Sequence, residues 1–126
     1  MSNKEDYQAK IDEIKIPDQL SDNVTLSTMH GCPSDEIGTI GKYLLTEKNL
    51  HTLIKLNPTL LGEEKIRSIL NDKLGYDTPV PDIAFEHDIN YQEARAMMLS
   101  LQKVAKQENL FFGLKLTNTL ESKNHR

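Results

Sequence analysis

The sequence alternates short apolar, strand-like stretches with amphipathic helical stretches, and this alternation repeats along most of the chain. Apolar or β-branched runs begin at Val24, Thr52, Ile83 and Phe111. Successive strand–helix pairs are therefore roughly 30 residues apart, which is the length of a βαβ unit. Because repeated crossovers of this length join parallel strands, the predicted fold class is α/β, as part of a (β/α)8 barrel or as an open layer.

The individual elements follow from the apolar spacing and from the residues that interrupt it. Four strands are predicted, each an apolar run that ends at a turn signal: 24–29, 51–58, 80–88 and 110–120. Three helices carry apolar residues at helical spacing: 33–49, 62–76 and 91–105. The chain then divides into a charged helical lead-in that stops near Pro17, half a barrel and a polar tail: 1–22, 23–120 and 121–126.

Four parallel strands and three helices make about half of a TIM-type barrel. A complete (β/α)8 barrel needs about 250 residues, whereas this chain has 126. A half-ring leaves two unpaired strand edges and an apolar face that a closed barrel would enclose. We therefore expect a partner to cover these edges, either the rest of the barrel or a second copy of the chain.

Charge and composition exclude several classes of function. The formal net charge of −4 gives no basic surface of the kind that nucleic-acid-binding proteins carry. No apolar run approaches the roughly 20 residues that cross a bilayer, and the first residues are charged, unlike a secretion signal. We expect a cytoplasmic protein without nucleic-acid or membrane partners. The single cysteine cannot hold an iron–sulfur cluster or a four-cysteine zinc site, so any cluster must lie on another segment.

Two strand ends carry the same residue pattern. The stretches "LIKLNPTL" (53–60) and "GLKLTNTL" (113–120) share Lys, Leu, Thr and Leu at the same four positions. In α/β folds the carboxyl ends of parallel strands bind ligands. The pattern predicts a site for an anionic or carbonyl-bearing ligand, formed by Lys55, Asn57, Lys115, Thr117 and Asn118. The alternative for each lysine is a solvated or ion-paired surface group.

The turn after the first strand adds two candidate catalytic residues, Cys32 and His30. Cys32 directly precedes a predicted helix, and a helix N-terminus lowers the pKa of a thiol. The ordinary role of a lone cysteine is that of a small buried side chain, and this reading stays open. Three glycines in and after the turn do not form a dinucleotide fingerprint, because two of them lie within the helix pattern. A Rossmann fold is therefore not expected.

The run "VTLSTMHGCPSDEIGTIGKYLLTEKNLHTLIKLNPTLLG" (24–62), together with "FGLKLTNT" (112–119), closely resembles the family of selenate reductase subunits. These are large bacterial flavin and iron–sulfur oxidoreductases whose barrel is similar to those of dihydropyrimidine and dihydroorotate dehydrogenases. The resemblance covers about residues 15–122. It implies an FMN-type (β/α)8 barrel of which this chain is an internal piece, with the iron–sulfur clusters on other segments.

The same resemblance implies roles for candidate residues. Lys115, Leu116 and Thr117 look like a Lys–Leu–Thr motif that lies against the flavin in dihydropyrimidine dehydrogenases, although Asn118 stands where that motif has proline. Cys32 resembles a loop cysteine that donates a proton to the reduced substrate. A cation near the pyrimidine end of the flavin is also required, and Lys55 or Lys115 fits that role. The implied function is a segment of a flavin-dependent oxidoreductase that is inactive alone.

Two other functions are compatible with these residues. A non-catalytic assembly module would keep the half-barrel and bind no flavin. A Schiff-base lyase would use Lys55 or Lys115 as its nucleophile, because barrel-strand lysines also support that chemistry. Flavin binding tests the first alternative, and borohydride trapping with a keto acid tests the second.

Overall fold

A parallel sheet with helices on one face forms the centre of this computed structural model, which describes residues 3–28, 31–116 and 119–123. The strands are β1 (Asn23–Ser27), β2 (His51–Lys55) and β3 (Phe112–Lys115). They pair in the order β1–β2–β3, and each is parallel to its neighbour. The α/β class with a parallel sheet, expected from the sequence, is confirmed.

The described chain contains five α-helices: α1 (Asn3–Asp12), α2 (Ser34–Thr46), α3 (Glu63–Arg67), α4 (Asp82–His87) and α5 (Tyr91–Gln107). A 3-10 helix, Pro58–Leu61, follows β2, and a π-helix, Ser68–Lys73, continues α3. None of the helices in the described ranges combines the length and the apolar character needed to cross a membrane.

The stretch 80–88 is not a strand, so the predicted third strand is wrong. It contains α4, whose N-cap is Pro81 and whose first turn holds the acidic Asp82, a charge that the positive end of a helix favours. Val80 and Ala84, four residues apart, are buried with Ile66 in a small second core. Val80 thus packs just before the N-cap and Ala84 packs within α4, whereas Ile83 of the same apolar stretch is exposed. As a result β2 pairs directly with β3, and the described sheet has three strands rather than four.

The other predicted elements are present, most with shorter bounds, whereas the helix predicted at 91–105 extends to Gln107. The strand predicted at 51–58 ends at Lys55, because Pro58 has no N–H for a sheet ladder and begins the 3-10 helix instead. The helix predicted at 62–76 is divided between α3 and the π-helix. The lead-in helix ends at Asp12, before the expected stop at Pro17. The boundary between a lead-in, a barrel segment and a tail stays a prediction.

One face of the sheet packs on α2 and α5 and forms the main core. Ile54 of β2 is fully buried there, between neighbours in register on β1 and β3. Leu45 of α2 and Leu101 of α5 are buried in the same cluster. A Cβ atom at Gly41 would lie 2.9 Å from Cδ1 of Leu101. Glycine at this position therefore lets α2 approach α5 closely.

The opposite face of the sheet carries the alternate residues of each strand, since successive side chains of a strand point to opposite faces. Its middle row contains Thr25, Leu53 and Gly113 in register. Thr25 is exposed, and Leu53 and Gly113 are half-buried. In a closed barrel this face would be the interior, which side chains fill.

Candidate functional site

Three polar side chains form one row at the carboxyl ends of the strands. Ser27 ends β1, Lys55 ends β2 and Lys115 ends β3. Ser27 is in register with Lys55, and Lys55 is in register with Lys115. Adjacent strands lie about 4.8 Å apart, and residues in register point to the same face. This set, which we call the strand-end row, places one hydroxyl and two ammonium groups side by side.

The two lysines of the strand-end row differ in exposure but share a lack of carboxylate partners. Lys55 is half-buried and Lys115 is exposed. Within the part of the chain that the structure describes, neither ammonium group forms an ion pair. Like charges directly opposite each other on neighbouring strands repel. A bound anion would relieve that repulsion, so the row is suited electrostatically to an anionic ligand.

A buried carboxylate, Asp88, joins the loops that follow β1 and β2. The Thr59 hydroxyl donates a hydrogen bond to Asp88 Oδ2 over 2.6 Å, and Asn57 Nδ2 donates to the same oxygen over 3.1 Å. The Gly31 backbone N–H donates to Oδ1 over 3.3 Å. Asp88 is only 9% exposed, so these bonds replace water that the carboxylate loses on burial. The loops after β1 and β2 are thereby held against the segment that precedes α5.

Asn57 is the site residue for which this contact matters most. It lies two residues beyond Lys55, and its amide is fixed by the hydrogen bond to Asp88. Asn57 is therefore near the strand-end row in the sequence, and the structure fixes the orientation of its side-chain amide. Three other predicted site residues, His30, Thr117 and Asn118, lie outside the described residues, and their roles stay predictions.

Cys32 lies in a different environment from the strand-end row. It is half-buried in the turn before α2 and packs against the main core, on the helix side of the sheet. The row faces the other side. The structure therefore does not place the thiol next to the two lysines.

The expected lowering of the Cys32 pKa by the helix N-terminus is wrong. Burial raises the pKa of the thiol above its ordinary value of 9.0, and the neighbouring Glu36 and Asp35 carboxylates raise it further. Both acids lie in the first turn of α2. Their negative charge and the loss of water outweigh the favourable end of the helix. Cys32 is therefore a protonated thiol at neutral pH.

Sequence reasoning missed Asp88 and Ser27. Asp88 is the last residue of the stretch that was interpreted as a third strand. An acidic residue at that position is compatible with the end of a strand. The available signal was the "NYQE" box that follows, in which Asn90 and Glu93 cap α5 reciprocally. This box marks a helix start and makes 88–90 a junction rather than a strand. Ser27 had no motif, and only strand register places it beside Lys55.

The described residues do not meet the requirements of a metal site. Across the described ranges, no three His, Cys, Asp or Glu side chains gather in a way that could hold a metal ion.

Comparison with known proteins adds a family and its architecture. A protein-family model described as "Oxidoreductase YgfK, N-terminal TIM-barrel domain" matches residues 1–126. Two curated relatives, from Escherichia coli strains K12 and O157:H7, are provisionally named oxidoreductase YgfK. Each is 46% identical over 113 residues, which cover 89% of this chain and 11% of the relative.

The chain thus spans about a tenth of the length of these relatives. No solved structure shows a significant match. The match to a TIM-barrel family confirms that the three parallel strands are part of a barrel.

Proposed function

The chain belongs to the family of oxidoreductase YgfK N-terminal TIM-barrel domains, and from this premise we propose that it forms the flavin-contacting part of a barrel in a longer oxidoreductase. One observation carries the proposal: Lys55 and Lys115 stand in register at the carboxyl ends of adjacent parallel strands. Active sites of TIM-barrel enzymes are built at this end of the barrel. The remaining functional parts, including iron–sulfur clusters, would lie on other segments of the longer protein.

The chemistry of the strand-end row fits FMN. A cation beside the pyrimidine end of a flavin stabilises negative charge there, and charge near the ring is one way in which a protein tunes this cofactor. Lys55 and Lys115 offer two such cations without a carboxylate partner among the described residues. Ser27 adds a hydroxyl that can donate or accept a hydrogen bond. When bound, FMN supplies hydride and single-electron transfer.

The residues around the row have supporting roles in this proposal. Asp88 fixes Asn57 at the end of β2, so that its amide needs little reorganisation when a ligand binds. Thr117 and Asn118 would extend the flavin contact beyond β3, on the sequence pattern alone. Cys32 packs on the helix side of the sheet rather than beside the row; as a candidate general acid it holds its proton, because its pKa is raised. His30, in the same turn, is the second candidate acid.

We propose no substrate for the longer enzyme beyond an electron acceptor. Selenate is the first acceptor to test, because of the sequence resemblance to selenate reductase subunits. A cytoplasmic location is part of the same proposal.

The test uses the E. coli K12 relative with its matched region replaced by this chain. FMN is released by heat, separated from other flavins by chromatography and counted per protein. We expect Lys55→Ala and Lys115→Ala each to lower FMN occupancy at least tenfold. Lys103→Ala is the matched control, since Lys103 is an exposed lysine on α5, on the other side of the sheet. Electron transfer to selenate is assayed on the same preparations.

Unchanged FMN occupancy in both row variants would contradict the proposal. An FMN-free protein that still folds and assembles would instead favour the non-catalytic module. A borohydride-dependent mass increase with pyruvate, lost in Lys55→Ala or Lys115→Ala, would favour the Schiff-base lyase.

A further inference from the structure

We propose that the outer side of β3 is the surface on which the rest of the barrel assembles, and that its occupant is the next strand–helix unit of a longer chain. The proposal rests on the barrel part of the proposed function and does not depend on flavin binding. It follows from a groove along β3, from the difference between the two edges of the sheet, and from the number of strands.

Two hollows lie along β3 where it forms the edge of the described sheet. The larger has a volume of about 470 Å³ and the smaller about 290 Å³. Both are lined by Leu114 of β3 and Met98 of α5. They therefore form one groove between the strand and the helix, which we call the β3 groove.

The β3 groove exposes large apolar side chains. Five of its lining residues are between 39% and 64% exposed: Leu61, Tyr91, Leu99, Leu114 and Leu116. Contiguous apolar surface of this kind marks interaction sites on soluble proteins. Leu114 also places this surface directly beside backbone N–H and C=O groups that a further strand can use.

The opposite edge of the sheet has a different character. The exposed residues of β1 are Asn23, Thr25 and Ser27, all of which are polar, while Val24 and Leu26 are half-buried. An incoming unit that must bury apolar surface gains more at β3 than at β1. The asymmetry identifies β3 as the side from which the barrel continues.

The geometry of parallel barrels identifies the kind of unit that fits. In such barrels each helix packs over its own strand and the next one, with right-handed crossovers. The helix after β3 would lie beside α5, over the face that holds Leu114. The following strand would pair with the backbone of β3. The occupant is therefore a parallel strand with an apolar helix, and both would come from one segment.

The number of strands favours a longer chain over a second copy of this one. Two β3 edges paired across a two-fold axis would be antiparallel, which a parallel barrel does not contain. Pairing β3 of each copy with β1 of the other keeps all strands parallel, but the three strands in the described part of each copy give a ring of six. TIM barrels have eight. The described chain leaves five strands to be supplied, and the matched region is only 11% of the length of each relative.

Co-expression tests this interface. The complete, tagged chain is produced with an untagged segment of roughly 150 residues, the length of five strand–helix units, taken from directly after the matched region of the E. coli K12 relative. The amount of segment captured on the tag is measured for the wild type, Leu114→Asp and Leu116→Asp. Leu74→Asp is the matched control, because Leu74 is 58% exposed and Leu116 64%. Circular dichroism verifies folding, and light scattering gives the mass of the chain alone.

We expect near-equimolar capture by the wild type and by Leu74→Asp, and at least a tenfold loss with Leu116→Asp. Leu116 lies beyond the end of β3, so this variant keeps the test valid if Leu114→Asp fails to fold. Three results would overturn the proposal: no capture by folded wild type, equal capture by Leu116→Asp, or a dimer of the chain alone that Leu116→Asp converts to a monomer. The last result would identify a second copy as the occupant. Since no flavin is added, failure here is distinct from loss of FMN binding.

Discussion

The ends of β2 and β3 carry the same sequence pattern in different surroundings. After Lys55, Leu56 is 2% exposed and Thr59 is 6% exposed, whereas after Lys115, Leu116 is 64% exposed and Thr119 is exposed. β2 has a strand on each side, and β3 lies at the edge of the described sheet. The difference teaches that neighbouring elements, and not the local residues, decide whether this pattern is buried and held in place.

The largest expected difference between the two strand ends is in packing. Leu56→Ala should lower the free energy of unfolding by about 3 kcal/mol, because it leaves a cavity in the core. Leu116→Ala should change it by less than about 0.5 kcal/mol, as is usual for exposed positions. Urea unfolding followed by circular dichroism measures both. An equal decrease in the free energy of unfolding for the two variants would show that Leu116 is as buried as Leu56. The two strand ends would then not differ in packing.

The next difference lies in the hydrogen bonds that hold the β2 end. Asp88→Ala should lower the free energy of unfolding by about 2 kcal/mol, because Thr59, Asn57 and Gly31 lose a buried hydrogen-bond acceptor. Exchange of the backbone amide hydrogens in residues 56–62 should then become faster and approach the exchange rates of the residues that follow β3. Asp72→Ala is the control, since Asp72 is exposed. Unchanged exchange in 56–62 after loss of Asp88 would mean that the 3-10 helix alone fixes this loop.

The smallest effect extends the comparison to the end of β1, where Cys32 lies. Burial and the Glu36 and Asp35 carboxylates raise the thiol pKa in the folded protein. The folded state therefore binds this proton more tightly than the unfolded state. The resulting stabilisation is complete below the unfolded pKa, near 9.0, and declines as the pH rises toward the folded value.

Iodoacetamide labelling against pH checks this expectation. The midpoint for Cys32 should lie above 9.0 in the folded chain and return to the ordinary value in urea. Glu36→Gln should move the folded midpoint downward, and Glu64→Gln, which alters an exposed carboxylate of α3, should leave it unchanged. A folded midpoint below the ordinary value would restore the helix N-terminus as the dominant influence.

Local patterns in the sequence predicted the elements that depend on local physics. α5 was predicted because its apolar residues recur at helical spacing, and its capping box confirms the start at Tyr91. The two lysines were grouped because the carboxyl ends of parallel strands share one edge. Their register with each other and with Ser27 depends on strand pairing, which no local pattern specifies.

The errors have equally specific causes. The stretch 80–88 is apolar enough for a strand, but Pro81 and Asp82 begin a helix there, and Val80 and Ala84 pack with Ile66 in a second core. Asp88 acquires its role through partners 29, 31 and 57 residues away in the chain. The pKa of Cys32 depends on burial, which the sequence position before a helix does not reveal.

The contacts of Asp88 also set an order of events during synthesis on the ribosome. Asn57 and Thr59 emerge 31 and 29 residues before the carboxylate that will bind them. Until then their polar groups can be satisfied only by water or by transient partners. Contacts between distant residues form late because the intervening chain must first be ordered. The loop beside Lys55 should therefore acquire its final shape only after the segment leading into α5 has left the exit tunnel, so a translational pause before that point would delay formation of the site.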